Sequence, residues 1–444
     1  MQKQCANYES TMDWIYSVPR FSRQPHLDRF KELLRRLNNP HNNAKFVHVA
    51  GTNGKGSVAA MVGSILREAG FRTGVYTSPH LEEFCERISV DAQNIPRDSL
   101  AALAQEVSAV CNAMLSDGYE HPIQFEIITA IGFLYFEQQQ CDYVSLEVGL
   151  GGRFDATNVV RPEVCCITTI SPDHTEVLGS TPEEIAYEKA GIMKRGSPVV
   201  TGVQERRALS VIERRARELG STLVRVGNTE SSEVRWRESR YSLEGQKIDV
   251  LGAQFTYADL WIPLAGRHQQ LNASVAVSAV QFLEDMPHKP LEQAVRDGIA
   301  QVRWPGRLEV MHTQPLVIVD GAHNIEGIQA LAQEMLDHSR GNLLTVYGLL
   351  QDKAASQVTE IIAKISDIML ITKPHNPRAV EPSNLVEQAA QYTRCEAHEH
   401  IPDAIDRALS LAAAGDTVLC CGSLYLAGPA RTYLKTKWPE SAAV

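Results

Sequence analysis

The spacing of apolar residues switches repeatedly between two patterns along the first 200 residues. Short, almost wholly apolar runs predict strands that are covered on both faces, as in a parallel sheet. These runs lie at 46–50, 73–77, 143–148 and 164–170. Between the strands, apolar residues recur at helical spacing, as at 58–69 and 125–136. This alternation predicts an α/β fold with a doubly wound, mostly parallel sheet.

The pattern changes over residues 221–263, where short β-like runs are divided by Gly, Asn and Glu. Such runs are typical of hairpins, so we expect a small antiparallel annex to the main sheet. The runs are 223–226, 234–236, 241–243 and 255–261. A helix is predicted over 272–283, where apolar residues return to helical spacing.

Trp304-Pro305-Gly306 is the predicted hinge, because two helix breakers stand together after a helical stretch. Beyond it the strand–helix alternation restarts and predicts a second, smaller, Rossmann-like α/β domain. Its strands are expected at 316–319, 343–347, 368–372 and 418–421, and its helices at 325–338, 355–365 and 401–414. The predicted domains are therefore 1–300 and 301–444.

Charge and composition exclude several classes of protein. With 43 Lys and Arg against 53 Asp and Glu, the 444-residue chain carries a formal charge of −10. An acidic chain lacks the dense basic face of a nucleic-acid binder, yet a single nucleotide needs only local amides and a few cations. We expect no membrane association, because no apolar run approaches the ~18 residues of a spanning helix. The first ten residues also lack the apolar core of a signal peptide, so a cytoplasmic location is expected.

The nine cysteines predict neither a disulfide framework nor a zinc site. Their number is odd, none forms a Cys-x-x-Cys pair, and several stand in apolar runs. We therefore expect buried thiols in a reducing compartment.

The clearest local motif is Gly51-Thr52-Asn53-Gly54-Lys55-Gly56-Ser57, which follows a predicted strand and opens a predicted helix. Small residues let the backbone wrap around phosphates, the helix amides point at them, and Lys55 adds a positive charge. The motif departs from a strict Walker A loop, because Val49 replaces the first glycine and Gly56 separates Lys55 from Ser57. The alternative is a glycine turn that only connects strand and helix.

Together with other stretches, this loop closely resembles that of folylpolyglutamate synthases and dihydrofolate synthases in the Mur-ligase superfamily, and in particular of bacterial bifunctional members. The similar stretches run in family order over about residues 20–430, essentially the whole chain. They are 48–57, 76–81, 125–126, 146–158, 173–174, 188–192, 268–272, 305–307 and 320–324.

The resemblance implies roles for residues that the pattern alone leaves ambiguous. ATP contacts are implied for Thr52, Asn53, Gly54, Lys55, Gly56, Ser57, Asn272, Arg307 and Asp320. Magnesium ligation, with two ions, is implied for Ser57, Ser78, Glu147, His174 and a carbamylated Lys189. Catalytic roles are implied for Lys55, Lys189 and His323. Taken alone, Ser78-Pro79 reads equally as a turn, Glu147 as a strand-end acid and Lys189 as a surface lysine.

The resemblance also implies that two stretches line a pterin pocket: Ile123, Gln124, Phe125 and Glu126, and then Phe154, Asp155 and Ala156. Phe154 stands where the family usually has leucine. Phe125 offers a stacking surface, with core packing as the alternative. Asp155 is expected to pair with pterin nitrogens, so that Asp155→Ala harms dihydropteroate use more than folate use. The alternative is that Asp155 caps the glycine turn, in which case both substrates suffer equally.

The implied activity is an ATP- and Mg²⁺-dependent ligase, a monomer with ATP bound between its two domains. It activates a pterin-linked carboxylate as an acyl phosphate and joins it to L-glutamate. One alternative is a folylpolyglutamate synthase without the second activity. Another is a cell-wall peptide ligase, although only about 45 residues precede the loop, fewer than its extra domain needs. A third is a P-loop binding protein without ligase activity.

Overall fold

The computed structural model describes residues 5–20, 26–283, 291–351 and 354–439, so the first four residues of the N-terminal stretch discussed above lie outside it. The α-helices are α1 Tyr8–Ser17, α2 Asp28–Arg36, α3 Lys55–Glu68, α4 Arg97–Ser116, α5 Gln124–Gln138, α6 Thr175–Leu178, α7 Pro182–Lys189, α8 Arg206–Leu219, α9 His268–Val280, α10 Leu291–Ala300, α11 Ile325–His338, α12 Ala355–Ile365, α13 Pro382–Ala389, α14 Ile401–Leu411 and α15 Leu424–Lys437.

The strands are β1 Lys45–Ala50, β2 Thr73–Tyr76, β3 Ile88–Val90, β4 Gln93–Asn94, β5 Tyr143–Glu147, β6 Val164–Ile167, β7 Val199–Thr201, β8 Leu223–Arg225, β9 Arg235–Ser242, β10 Gly245–Leu251, β11 Thr256–Ile262, β12 Glu309–Thr313, β13 Leu316–Val319, β14 Leu343–Tyr347, β15 Ile368–Ile371, β16 Arg394–Ala397 and β17 Thr417–Cys421. Short 3₁₀ helices span Pro40–Asn42, Phe84–Arg87, Ala156–Val159 and Ala190–Ile192.

The chain divides into two compact units. The first comprises Met1–Arg237, Ile248–Trp261 and Leu271–Val302, and the second Glu238–Lys247, Ile262–Gln270 and Arg303–Val444. The second unit thus takes two short segments that lie well before the predicted hinge. A linear pattern cannot reveal this, because contacts rather than sequence order assign a segment to a unit.

The first unit contains an eight-stranded sheet with the order β4-β3-β2-β5-β1-β6-β7-β8. In this order, the neighbouring strands β2, β5, β1, β6, β7 and β8 pair in parallel. Beyond β2, the strands β3 and β4 form an antiparallel edge of the sheet. Buried strand residues contribute to two separate apolar clusters, one containing Val144 and Leu146 and the other Cys165 and Ile167. The predicted doubly wound, mostly parallel sheet is confirmed.

The antiparallel annex begins later in the chain than predicted. The run at 223–226 is β8, which pairs in parallel with β7 at the edge of the main sheet. The annex is the three-stranded sheet β11-β10-β9, in which the runs 234–236 and 241–243 are the two ends of one strand. The intervening residues of β9 are exposed and charged, which interrupts the apolar signal without interrupting the strand.

The second unit contains a six-stranded sheet with the order β12-β13-β17-β14-β15-β16, in which only β12 pairs antiparallel. The predicted bounds of β13, α11, β14 and α12 agree with the structure. The pattern missed α15, because Pro429 stands inside that helix and proline is ordinarily a helix breaker. Among the described helices, none combines the length and apolarity needed to cross a membrane.

Candidate active site

Four neighbouring parallel strands, β2, β5, β1 and β6, bring most of the sequence-predicted candidates of the first unit to one edge of the sheet. Parallel strands end at the same edge, and ligands of α/β sheets bind at that edge. Ser78 follows β2, Glu147 ends β5, the glycine loop follows β1, and His174 follows β6.

The glycine loop leads directly into the first turn of α3. Gly54 caps this helix with φ of 84°, a left-handed conformation that favours glycine. A Cβ at this position would lie 2.3 Å from Oδ1 of Asn272, a buried residue of α9. Lys55 is the first residue of α3, and Ser57 is buried two residues later. The loop therefore presents the amides of a helix N-terminus, an arrangement suited to phosphate.

Three residues that the sequence reasoning missed hold the loop in place. The hydroxyl of Thr168 donates to the Asn53 carbonyl at 2.6 Å, and Thr169 Oγ1 accepts from the Asn53 amide at 3.2 Å. Thr52 Oγ1 donates to the Ser171 carbonyl and accepts from the Ser171 amide, each at 3.1 Å. The sequence signal that could have identified these residues is the group of hydroxyl side chains directly after the apolar strand β6.

Lys189 is a buried lysine rather than the surface residue that its helix position would allow. It ends α7 with 4% of its surface exposed, and its Nζ donates to the Gly51 carbonyl at 2.7 Å. Burial, together with the nearby charge of Lys55, lowers the pKa of Lys189 to about 7. A substantial share of this amine is therefore neutral near pH 7.

Glu147 and Ser78 are in direct contact. Glu147 is buried at the end of β5, and its Oε2 accepts a hydrogen bond from the Ser78 amide at 3.0 Å. Glu86, another residue missed by sequence reasoning, accepts from the amides of Leu81 and Glu83 at 2.7 and 2.8 Å and so fixes the loop after Ser78. A carboxylate and a serine therefore lie together beside the glycine loop.

His174 is exposed and caps the short helix α6 in a left-handed conformation with φ of 49°. Its Nε2 lies 3.8 Å from Oδ1 of Asp173. Within the described residues, no three His, Cys, Asp or Glu side chains form a cluster that could hold a metal by themselves. Mg²⁺ seldom uses such a cluster, since it binds one or two carboxylates and completes its shell with water and phosphate oxygens. Ser57 and Glu147 fit that donor set.

Glu126, predicted to line the pterin pocket, is held by a buried ion pair. Arg29 donates to both of its carboxylate oxygens at 2.8 Å, and Glu126 Oε2 also accepts from the Ile123 amide at 2.9 Å. Arg29 is 5% exposed and was missed by sequence reasoning, since an arginine on an amphipathic helix resembles a surface residue. Glu126 therefore anchors the start of α5, where Gln124 and Phe125 lie.

Phe125 lies against the glycine turn that follows Glu147. Its ring contacts Tyr76 edge-on, with centroids 6.2 Å apart, and a Cβ on Gly149 would lie 2.3 Å from its Cζ. Phe154, at the other end of the turn, is 43% exposed, with the Arg153 guanidinium 4.8 Å from its ring centroid. Ala156 is buried next to this stretch.

The Asp155 carboxylate is fully engaged within the protein. Oδ1 accepts from the amide and the hydroxyl of Thr157 at 3.0 and 2.5 Å, and Oδ2 accepts from the Leu150 amide at 2.9 Å. Burial raises the pKa of Asp155, and these hydrogen bonds act in the opposite direction. Both carboxylate oxygens thus accept hydrogen bonds from Thr157 and Leu150, so the geometry favours the capping alternative over pterin pairing.

The candidates of the second unit gather around the end of β13. Asp320 is buried and accepts from the amides of Leu308 and Ala322 at 2.8 and 2.7 Å, which fixes the turn that carries Arg307. His323 is exposed, and its Nδ1 lies 2.9 Å from the Gly321 carbonyl. Since a carbonyl only accepts, Nδ1 carries the proton and Nε2 keeps a lone pair that can take up another.

Comparison with known proteins agrees with this geometry. The Mur ligase middle domain matches residues 49–280, and the Mur ligase glutamate ligase domain matches residues 306–424. The chain belongs to the Mur ligase family. The ligase is 36% identical over 432 residues to dihydrofolate synthase/folylpolyglutamate synthase of Bacillus subtilis, covering 96% of this chain and 99% of the relative.

Solved structures place the ligase among the folylpolyglutamate synthases of this family. The Mycobacterium tuberculosis folylpolyglutamate synthase complexed with ADP and AMPPCP matches with a TM-score of 0.88 and 32% identity, covering 97% of this chain and 99% of that one. Escherichia coli FolC in complex with DHPP and ADP matches with a TM-score of 0.87 and 31% identity, covering 98% and 99%. Family and fold together show an ATP-dependent ligase.

Proposed function

We propose that this ligase adds L-glutamate both to dihydropteroate and to folates, acting as a dihydrofolate synthase and a folylpolyglutamate synthase. The observation that carries the proposal is the meeting of the glycine loop, Ser78, Glu147 and Lys189 at one sheet edge. Relatives that align over almost their full length and carry both names support the two activities.

The proposed reaction has two chemical steps. An oxygen of the substrate carboxylate attacks the γ-phosphorus of ATP, and ADP leaves, which gives an acyl phosphate. The neutral amine of L-glutamate then attacks the carbonyl carbon, the bond to phosphate breaks, and an amide forms. The proton lost by the amine needs a base, and Nε2 of His323 has the lone pair for that role.

The first unit supplies the phosphate-binding part of the site in this proposal. In this proposal the amides of residues 54–57 bind the phosphates, and the Lys55 ammonium exchanges its hydrogen bonds to the Gly51 and Thr52 carbonyls for contacts with the phosphates. Asn272 lies against the loop at Gly54. Arg307 and Asp320 are further ATP contacts in this proposal. Positioning and charge neutralisation supply most of the catalysis of phosphoryl transfer.

The proposed magnesium ligands are Ser57, Ser78, Glu147, His174 and carbamylated Lys189. Magnesium neutralises phosphate charge during phosphoryl transfer. Lys189 suits carbamylation, because only a neutral amine attacks carbon dioxide and burial keeps this pKa near 7. Glu147 and Ser57 are buried beside the loop, where their oxygens suit a hard cation.

The test is ADP release by the purified protein with dihydropteroate, dihydrofolate or tetrahydrofolate, each offered with and without L-glutamate. Turnover that requires glutamate with all three pterins is expected. Turnover with the folates alone would reduce the function to a folylpolyglutamate synthase. Turnover only with a nucleotide-linked peptide would contradict the proposal and indicate a cell-wall ligase.

A further inference from the structure

A chain of buried polar side chains runs from the central strand β1 to the glycine turn after Glu147. His48 lies in the middle of β1 with no exposed surface, and its Nε2 is 2.9 Å from Oγ1 of Thr157. Thr157 is equally buried and donates its hydroxyl to Asp155, whose other oxygen accepts from the Leu150 amide. His48 is thereby connected to the turn through two intervening side chains.

The direction of these hydrogen bonds follows from donor counting. The Thr157 hydroxyl has one proton, which it donates to Asp155, so its oxygen accepts from His48. Nε2 of His48 therefore carries the proton. Burial lowers the pKa of His48 to about 3, which keeps the ring neutral with a single N–H. Among the residues that the structure describes, Nδ1 of His48 has no hydrogen-bond partner.

Burying an acceptor without a partner is unfavourable, and an apolar residue at this position of β1 would avoid that cost. The neighbouring strand positions Val47 and Val49 are indeed apolar and buried. The polar side chain at His48 therefore has a local energetic penalty that its single hydrogen bond to Thr157 must offset.

The glycine turn 149–152, to which Asp155 is hydrogen-bonded, contacts two candidate site residues. Gly149 lies against the Phe125 ring, as described above. At its other end, a Cβ on Gly152 would lie 2.9 and 3.0 Å from the carbonyls of Glu188 and Lys189, and the Arg153 amide donates to the Glu188 carbonyl at 2.9 Å. A displacement of the turn would therefore move its contacts with both Phe125 and the end of α7.

We propose that His48 and Thr157 are positioning residues that orient Asp155 and thereby fix the glycine turn 149–152 between Phe125 and Lys189. This inference rests on the proposed function, since Phe125 and Lys189 are taken to serve the pterin substrate and the reacting centre. Thr168, Thr169 and Ser171 hold the phosphate loop through separate hydrogen bonds. Loss of the hydrogen bonds that join His48, Thr157 and Asp155 should therefore affect that loop much less.

Two matched pairs of variants test the proposal. Thr157→Val keeps the shape and removes the hydroxyl, whereas Thr157→Ser keeps the hydroxyl. His48→Leu removes the donor, whereas the amide nitrogen of His48→Gln can occupy the place of Nε2. We expect KM for the pterin substrate to rise about tenfold in Thr157→Val and His48→Leu, with KM for ATP within about twofold of wild type. Thr157→Ser and His48→Gln should restore most of the affinity.

Hydrogen exchange provides a readout that does not depend on activity. In Thr157→Val and His48→Leu the amides of 149–155 should exchange faster, while those of 53–57 should exchange at the wild-type rate. The proposal would be overturned if exchange changed equally in both segments, or if KM rose equally for the pterin substrate and for ATP. It would also be overturned if the two variants at His48, or the two at Thr157, behaved alike. If wild type shows no glutamate-dependent turnover, the proposed function fails. The hydrogen-exchange data alone then still decide whether His48 and Thr157 position the glycine turn.

Discussion

Lys55 and Lys189 donate hydrogen bonds to the same backbone carbonyl, that of Gly51, at 3.1 and 2.7 Å. Two lysine amines are thus held together at the start of the glycine loop, and that of Lys189 is buried. Burial and the repulsion from Lys55 both disfavour a charge on Lys189, so its pKa falls. Carbamylation of Lys189 would replace this repulsion with attraction, because a carbamate is an anion.

The first prediction concerns Lys55. Lys55→Ala should remove most ATP turnover and leave the free energy of unfolding within about 1 kcal/mol of wild type, since the half-buried ammonium bonds only to loop carbonyls. Lys31→Ala, which removes a lysine with a 62% exposed side chain, is the control for loss of charge. Near wild-type turnover in folded Lys55→Ala would contradict the assignment of the phosphate loop.

The second prediction concerns the pH dependence of stability. An unfolded lysine has a pKa near ~10.4, whereas folding lowers that of Lys189 to about 7. Between these pH values the unfolded state binds more protons, so the free energy of unfolding should rise as the pH increases from about 7 towards 10. Below about pH 7 both states carry the charge, and the penalty is fully present. Denaturation in CO₂-free buffer should show this rise in wild type but not in Lys189→Met.

The third prediction concerns carbamylation itself. Lys189→Ala should lose activity, and short-chain carboxylates should restore part of it by occupying the vacant ligand position. Intact-protein mass measured with bicarbonate present should show an added carbon dioxide in wild type and none in Lys189→Ala. Full activity of wild type with an unmodified amine would refute this role.

The fourth prediction concerns magnesium. Glu147→Gln keeps the shape of the side chain and removes its charge, so the Mg²⁺ concentration for half-maximal rate should rise at least about tenfold. Glu137→Gln, on the same unit but at the far end of α5, should titrate as wild type does. An unchanged titration in Glu147→Gln would exclude this residue as a magnesium ligand.

The fifth prediction separates the two carboxylates that pair with Arg29. The side chains of Arg29 and Glu126 are 4% and 5% exposed, so Glu126→Gln should lower the free energy of unfolding by about 3–5 kcal/mol. Glu120, whose side chain is 73% exposed, pairs with the same arginine, and Glu120→Gln should cost no more than about 1 kcal/mol. Equal effects of the two substitutions in urea denaturation would mean that burial does not govern this pair.

Asp155 offers a comparison of the two pterin substrates. Because three hydrogen bonds within the protein engage both of its carboxylate oxygens, we expect Asp155→Ala to reduce kcat/KM for dihydropteroate and for tetrahydrofolate by similar factors. A markedly larger loss for dihydropteroate would instead support direct pairing with the pterin. Asp117→Ala, at an exposed position, controls for loss of a carboxylate elsewhere.

The sequence alone determined the fold class and the position of the glycine loop between a strand and a helix. Apolar runs covered on both faces and helical spacing are local properties, so β13, α11, β14 and α12 could be predicted within their observed bounds. The glycine loop could be singled out because glycine, lysine and serine stand together at a strand–helix junction, and its resemblance to a known family favoured phosphate binding over a simple glycine turn. The strand partners of β8 could not be predicted, since pairing joins residues that are distant along the chain.

Only the tertiary structure decided which polar side chains are already engaged. Arg29 and Glu126 lie 97 residues apart, and His48 and Thr157 lie 109 apart, so no local pattern could pair them. The same holds for Lys189, whose burial against Gly51 spans 138 residues of chain. Burial lowers the pKa of Lys189 and of His48, and that burial depends on neighbours that folding alone brings together.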